Sequence, residues 1–255
     1  LLSAAVRDAA ISAMLATDSA RYTVPIVQSQ ETSPMAAAHV LSRRSTLAAL
    51  AGAPLALSVF GLPAFAQSAP QPEGEVDMEK LLEPGPLPEM VKGDADAPVT
   101  IVEYASMTCG HCANFHNNAW PELKEKYVDT GKARLVLREF PFDPRAAAAF
   151  MLARCAPNDG YFPMIDVLFK QQAQWARAEN ARQPLENIAK LAGFTQESFE
   201  ACLTDQQLLN DVNAIRQRGA EEFGVNATPT FFINGSKYTG ALSVEEMSAI
   251  IDPLL

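Results

Sequence analysis

The chain has 255 residues, 48% of them apolar and 20% charged, with a formal net charge of −10. Apolar content at this level excludes wholesale disorder and allows one or two domains around a sizeable core. The acidic balance, with no basic run to neutralise phosphates, argues against nucleic-acid binding, and four cysteines are too few for a disulfide-dense scaffold.

Residues 1–34 begin with Leu and carry no clear period, cap or strand pattern, so translation is expected to start at Met35. From there Ser42-Arg43-Arg44-Ser45, an apolar stretch from Leu47 to Leu62, and Ala64-Phe65-Ala66 follow in order. They form a charged n-region, an h-region too short to span a bilayer and a small-residue cleavage site. Residues 35–66 read as an export signal cleaved after Ala66, which leaves Gln67 as the mature N-terminus. The paired arginines, and an h-region interrupted by Gly52, Pro54 and Gly61, fit a twin-arginine signal; a general secretory signal fits as well. Either route leads to the periplasm or to secretion, where disulfides persist. Four arginines and three acids precede the cleavage point, so the mature chain carries about −11. No later stretch approaches the roughly 20 apolar residues of a membrane-spanning helix.

Residues 67–88, rich in Pro, Glu, Asp and Gly, read as a polar arm, with a short extended piece at Met90-Val91. Val99 to Tyr104 is β-branched and aromatic, a strong strand. A short turn leads to Cys109, and from Cys112 the pattern is helical through Phe115, Trp120, Leu123 and Tyr127, with Gly131 as its stop. Pro121 removes a backbone donor inside that helix and is expected to kink it. Ala133 to Phe140 is a second strand, and strand–helix–strand with short connections implies a right-handed βαβ unit with a parallel pair. From Asp143 to about residue 222 the chain reads as helices only, near 143–155, 163–177, 185–191, 196–203 and 206–222. Thr230 to Ile233 returns to strand, Asn234-Gly235 is a hairpin turn, and Lys237-Tyr238 begins the partner strand. Ser243 and Glu246 form a capping box opening a last helix to about Leu254. The divisions are thus 67–88 arm, 89–142 first half, 143–222 helical insertion and 223–255 second half, an α/β architecture of βαβ, helical block, ββα.

Cys109-Gly110-His111-Cys112 sits where a strand passes into a helix, and that placement carries more meaning than the spacing. A helix N-terminus offers unpaired N–H groups and about half a positive charge, which stabilise a thiolate on Cys109 and lower its pKa. Two intervening residues let Cys112 close a small disulfide ring, with Cys109 as the exposed attacking sulfur and Cys112 the resolving one. His111 can donate to the Cys109 sulfur or place positive charge beside it. Stabilising the reduced form makes the disulfide a better oxidant.

Three segments together resemble the DsbA-like periplasmic thiol oxidoreductases of the thioredoxin superfamily. They are Val102-Glu103-Tyr104-Ala105-Ser106, the Cys109–Cys112 motif, and Ala227-Thr228-Pro229-Thr230-Phe231-Phe232-Ile233-Asn234-Gly235. The resemblance covers nearly the whole mature chain and implies a thioredoxin-like fold, a central mixed sheet with an inserted helical domain. It also implies that Pro229 forms a cis-proline loop beside the active disulfide, where an extended substrate could pair. Glu103 falls in the position of the family's buried acid, which handles the proton of the resolving thiol. Strand alternation alone leaves it open whether Glu103 faces solvent.

The implied chemistry is introduction of disulfides into folding secreted proteins that carry cysteines. The redox-active disulfide serves as the only cofactor, and a membrane quinone-linked oxidase of the DsbB type restores it. A monomer is expected, because residues 67–88 are too short for the dimerisation domain common among isomerases of this superfamily. Two departures keep isomerase or reductase activity open: the dipeptide is Gly-His rather than Pro-His, and Thr228 stands where strong oxidases commonly carry Val.

Rival readings attach to the same residues. Cys109, Cys112 and His116 could supply three zinc ligands, but no further close Cys or His pair completes a tetrahedron, so no metal is expected. Cys155 and Cys202 are preferred as a structural disulfide between two helices over a second redox pair. A non-catalytic holdase would use the apolar face and the Pro229 loop without turnover.

Overall fold

The computed structural model describes residues 69–255. The export signal, the Met35 start and the Ala66 cleavage point lie outside the described residues.

Strand β1 (Gly74–Glu75) and β2 (Met90–Lys92) lie at the two edges of a six-stranded sheet of order β1-β6-β5-β3-β4-β2. Strand β3 (Val99–Ala105) is central and buried along its whole length, which suits its near-continuous apolar run. It pairs in parallel with β4 (Ala133–Glu139), Ala105 lying opposite Glu139. On its other side it pairs antiparallel with β5 (Thr230–Ile233), Glu103 opposite Phe231. Asn234 and Gly235 both take positive φ, 45° and 97°, and turn the chain into β6 (Ser236–Thr239). Positive φ at both positions matches a tight hairpin to the twist of its strands.

The helices begin with α1 (Met78–Leu81). Helix α2 runs as Gly110–Asn114, Phe115–Ala119, Trp120–Leu123 and Lys124–Val128, the second and fourth pieces being π-helical turns. The insertion holds α3 (Pro144–Arg154), α4 (Tyr161–Lys170), α5 (Gln172–Trp175), α6 (Arg182–Leu191), α7 (Gln196–Leu203) and α8 (Gln206–Phe223). Helix α9 (Val244–Ile251) closes the chain and continues as a 3₁₀ turn, Asp252–Leu254.

Alternation along β3 assigns its side chains to two layers. Val99 and Ile101 pack with Phe115 and Trp120 of α2 and Met247 of α9. Val102 and Tyr104 pack with Ile215 and Phe223 of α8 and with Leu81. Gly219 of α8 permits this approach, since a Cβ there would fall 2.6 Å from the Tyr104 ring. A third cluster fills the insertion, where Ala146, Ala148 and Ala149 of α3 let it sit among Ile165, Leu168, Trp175 and Phe199.

Several local expectations differ from what forms. The segment 67–88 is not only a polar arm: β1 adds to the sheet edge, and Leu81 is fully buried. The β1 contact is made by backbone bonds, Glu73 N–H to Lys237 O at 2.8 Å and Val76 N–H to Gly235 O at 2.9 Å, which leave no periodicity to read. Pro121 is accommodated by π-helical turns on either side of its own segment, which shift the hydrogen-bond pattern around the missing donor. The helix expected over 163–177 breaks at Gln171 into α4 and α5. The boundary at 222 also needs revision, because α8 covers one face of the sheet and so belongs to the thioredoxin-like layer as much as to the insertion.

Candidate active site

Strand β3 ends at Ala105, and the short turn after it delivers Cys109 to the N-cap of α2, with φ −78° and ψ 120°. The Cys109 carbonyl accepts the Ala113 N–H at 3.1 Å, the first bond of the helix. Its side chain occupies the N-cap position, near the unpaired N–H groups of the first turn, without making a capping hydrogen bond of ordinary geometry. Both cysteines are in the thiol state; Cys109 is half-buried and Cys112 fully buried.

The two sulfurs are pushed in opposite directions. Cys109 is lowered to about 5, first by a hydrogen bond from the Cys112 thiol, then by the Thr228 side chain and the backbone N–H groups of Cys112 and His111; partial burial opposes them. Cys112 is raised well above the ordinary thiol value by burial, by its bond to Cys109, and by the negative charges of Cys109 and Glu103. One sulfur is therefore a thiolate at neutral pH and the other holds its proton, an asymmetry that separates a nucleophile from a resolving thiol.

Glu103 is fully buried on the face of β3 that meets α2, which decides the orientation that alternation left open. Both of its carboxylate oxygens face His116 Nε2, at 3.0 and 3.1 Å. The imidazole stacks on Phe169 at 4.4 Å between centroids, and its Nδ1 is buried with no partner. His116 entered the sequence reading only as a zinc ligand. Among the described residues no group of three His, Cys, Asp or Glu side chains is placed to hold a metal. Its position one helical turn after Cys112 was the available signal, since that spacing puts both residues on the face covering Glu103.

Thr228 and Pro229 are buried and joined by a cis peptide bond. The Cys109 thiol donates to the Thr228 carbonyl at 3.2 Å. The Thr228 hydroxyl is buried without a hydrogen-bond partner, and the Thr228 side chain acts to lower the Cys109 pKa. Gly110 and His111 are exposed, and His111 acts on the sulfur through its backbone N–H. Cys155 and Cys202 form a disulfide, with S–S 2.10 Å and Cα–Cα 6.2 Å, joining the end of α3 to α7.

Two further side chains reach the site, Gln172, which no sequence signal marks, and Asp143, whose sequence signal is that of a helix cap and not of a site residue. Gln172 of α5 donates to the carbonyls of Met107 and Cys109, and Asp143, the N-cap of α3, accepts from Thr108. They come from 65 and 35 residues away along the chain, with no local pattern to announce them at the site.

A family model described as Thioredoxin matches residues 87–253. A protein-disulfide oxidoreductase of Rickettsia bellii is 37% identical over 165 residues, 64% of this chain and 63% of the relative. A second, from Rickettsia conorii, is 35% identical over 168 residues, 66% of this chain and 60% of the relative. The chain thus spans less than two thirds of the length of these relatives. Wolbachia pipientis alpha-DsbA1 superposes with a TM-score of 0.65 at 32% identity, covering 70% of this chain and 96% of that one. Bacillus subtilis BdbD, at 18% identity and a TM-score of 0.60, shares the fold.

Proposed function

The chain belongs to the thioredoxin family, in its DsbA-like branch, and from that premise we propose that it is an exported thiol–disulfide oxidoreductase that introduces disulfides into secreted proteins. The observation that carries this reading is the placement of the two sulfurs, Cys109 half-buried at the N-cap of α2 and 3.2 Å from the Thr228 carbonyl of the cis-Pro229 loop, Cys112 fully buried, a setting that lowers Cys109 to about 5 and raises Cys112. A thiolate stabilised in the reduced protein makes the disulfide the higher-energy partner, hence an electron acceptor.

The cycle starts from the Cys109–Cys112 disulfide. A substrate thiolate attacks the exposed Cys109 sulfur, a mixed disulfide forms, and Cys112 leaves as a thiolate that takes up a proton. Glu103, paired with His116, is near enough for its charge to raise the Cys112 thiol, and this buried pair is the group suited to supply that proton. A second substrate thiolate then attacks the substrate sulfur of the mixed disulfide and expels Cys109 as a stable thiolate. Two electrons pass to the enzyme, and the substrate leaves oxidised. A DsbB-type quinone-linked membrane partner would remove those electrons, and no other cofactor enters the scheme. The Arg43-Arg44 export pattern and the Cys155–Cys202 disulfide both support a location outside the cytoplasm.

The test is the reduction potential of Cys109–Cys112 by equilibration with glutathione, in a Cys155→Ala/Cys202→Ala background. A value of about −120 to −180 mV supports net oxidation, whereas about −230 mV or lower turns the reading to reductase or isomerase. Cys109→Ser should abolish oxidation; client protection that survives it, without any exchange in the wild type, would favour the holdase.

A further inference from the structure

The turn that carries Cys109 is held from outside the thioredoxin-like layer. Gln172 Nε2 donates to the Met107 carbonyl at 2.8 Å and to the Cys109 carbonyl at 2.9 Å. Both contacts are to carbonyl oxygens, so only the NH₂ end of the amide can face them, and both of its hydrogens are used. Between those carbonyls, the Thr108 hydroxyl donates to Asp143 Oδ2 at 2.6 Å, while Asp143 Oδ1 accepts the Ala146 N–H at 2.9 Å. Gln172 is itself fixed: it opens α5, whose Trp175 is fully buried and donates from Nε1 to the Leu168 carbonyl at 2.9 Å.

We infer that Gln172 is a positioning residue through which the helical insertion stabilises the Cys109 thiolate. This rests on the oxidoreductase reading and adds a second source of control over its nucleophile. Two physical effects act together. The amide hydrogens bring partial positive charge to the carbonyl of the very residue that becomes negative, in a half-buried setting where dipoles are weakly screened. The same bonds fix the backbone on either side of Thr108, which holds Cys109 at the N-cap of α2, where the backbone N–H groups of His111 and Cys112 lower its pKa. Donors already oriented cost no reorganisation when the charge appears. Support of the fold alone would change stability without moving the thiolate midpoint, whereas both of these effects move it.

The experiment uses the mature protein with Gln172→Met, which keeps length but removes both donors, and Gln172→Lys, which restores an N–H donor with full positive charge. Gln172 is half-buried at the surface of the insertion, and thermal unfolding verifies that both variants are folded. Thiolate absorbance against pH, and equilibration with glutathione, are read for all three proteins. The Met variant should raise the Cys109 midpoint by half a unit or more, at least about threefold in the thiol–thiolate ratio at fixed pH. The Lys variant should return the midpoint to the wild-type value or below, a reversal that structural damage would not produce. If the wild type exchanges with glutathione and the Met variant matches it in both readouts, the role of Gln172 is wrong while the oxidoreductase reading stands. A Lys variant that shifts the midpoint upward as far as the Met variant also overturns the inference. If the wild type fails to exchange, the underlying reading fails with it.

Discussion

The Cys109 sulfur lies 3.2 Å from the carbonyl oxygen of Thr228, a residue 119 positions later in the chain. That contact brings the loop before β5 onto the N-terminus of α2, so the nucleophile is surrounded by backbone from both ends of the fold. The environment of Cys109, and with it several outcomes below, follows from this closure.

Cys109 should titrate at about 5 in the reduced protein. Alkylation by iodoacetamide is expected to be nearly constant above pH 6 and to fall about tenfold per unit well below the midpoint. The linkage has the sign of a depressed acid: the stabilisation of the reduced fold is complete above the thiol value of the unfolded chain and is lost as pH falls through about 5. Denaturation of reduced protein across pH 4–9 checks the second statement, and a flat profile would contradict it.

Thr228→Val keeps the shape of the side chain and removes its hydroxyl. Since that hydroxyl helps lower Cys109, the thiolate midpoint should rise by about half a unit to one unit, the worth of one screened hydrogen bond to a charge. An unchanged midpoint would assign the depressed value to the helix N–H groups and Cys112 alone.

The charge of Glu103 helps hold the Cys112 proton. In a Cys109→Ser background, Cys112 should therefore react with alkylating agents only at strongly alkaline pH. Adding Glu103→Gln removes the charge and should move that onset to lower pH. His116→Ala, by contrast, takes away the partner of a buried carboxylate and should cost about 3 kcal/mol or more in urea unfolding.

Removing the second disulfide by Cys155→Ala/Cys202→Ala opens a constraint of sequence separation 47. The chain-entropy relation gives a loss of about 4 kcal/mol, read as a lower urea midpoint. Glutathione exchange at Cys109–Cys112 should persist. Loss of all exchange in a folded double variant would mean the second pair takes part in turnover.

Gly110→Pro should be tolerated. Position 110 is the first residue of α2, where the N–H has no helical partner, and a Cβ there meets open space. Cys109 before it is already extended, the conformation proline demands of its neighbour. Restricting the unfolded chain should stabilise the protein by about 0.4–1 kcal/mol, measured by thermal or urea unfolding.

Much of this protein was legible from the chain because its signals are local. The β-branched run at 99–104, the Asn234-Gly235 turn, the Asp143 and Ser243 caps and the Cys109–Cys112 spacing each express backbone preferences within a few residues. From these came the central strands, the order of elements and the place of the nucleophile at a helix start. Tertiary structure decided what depends on residues far apart meeting. The facing of Glu103 toward His116 depended on which sheet face α2 covers, and the joining of β1 to β6 on backbone bonds that carry no side-chain pattern. The grip of Gln172 on the Cys109 turn depended on a break in a helix at Gln171, packed against a buried Trp175. Charge stabilisation in a half-buried site acts over a few ångströms and depends on direction, so composition and spacing could place the cysteines but only the folded chain could aim the groups that set their poise.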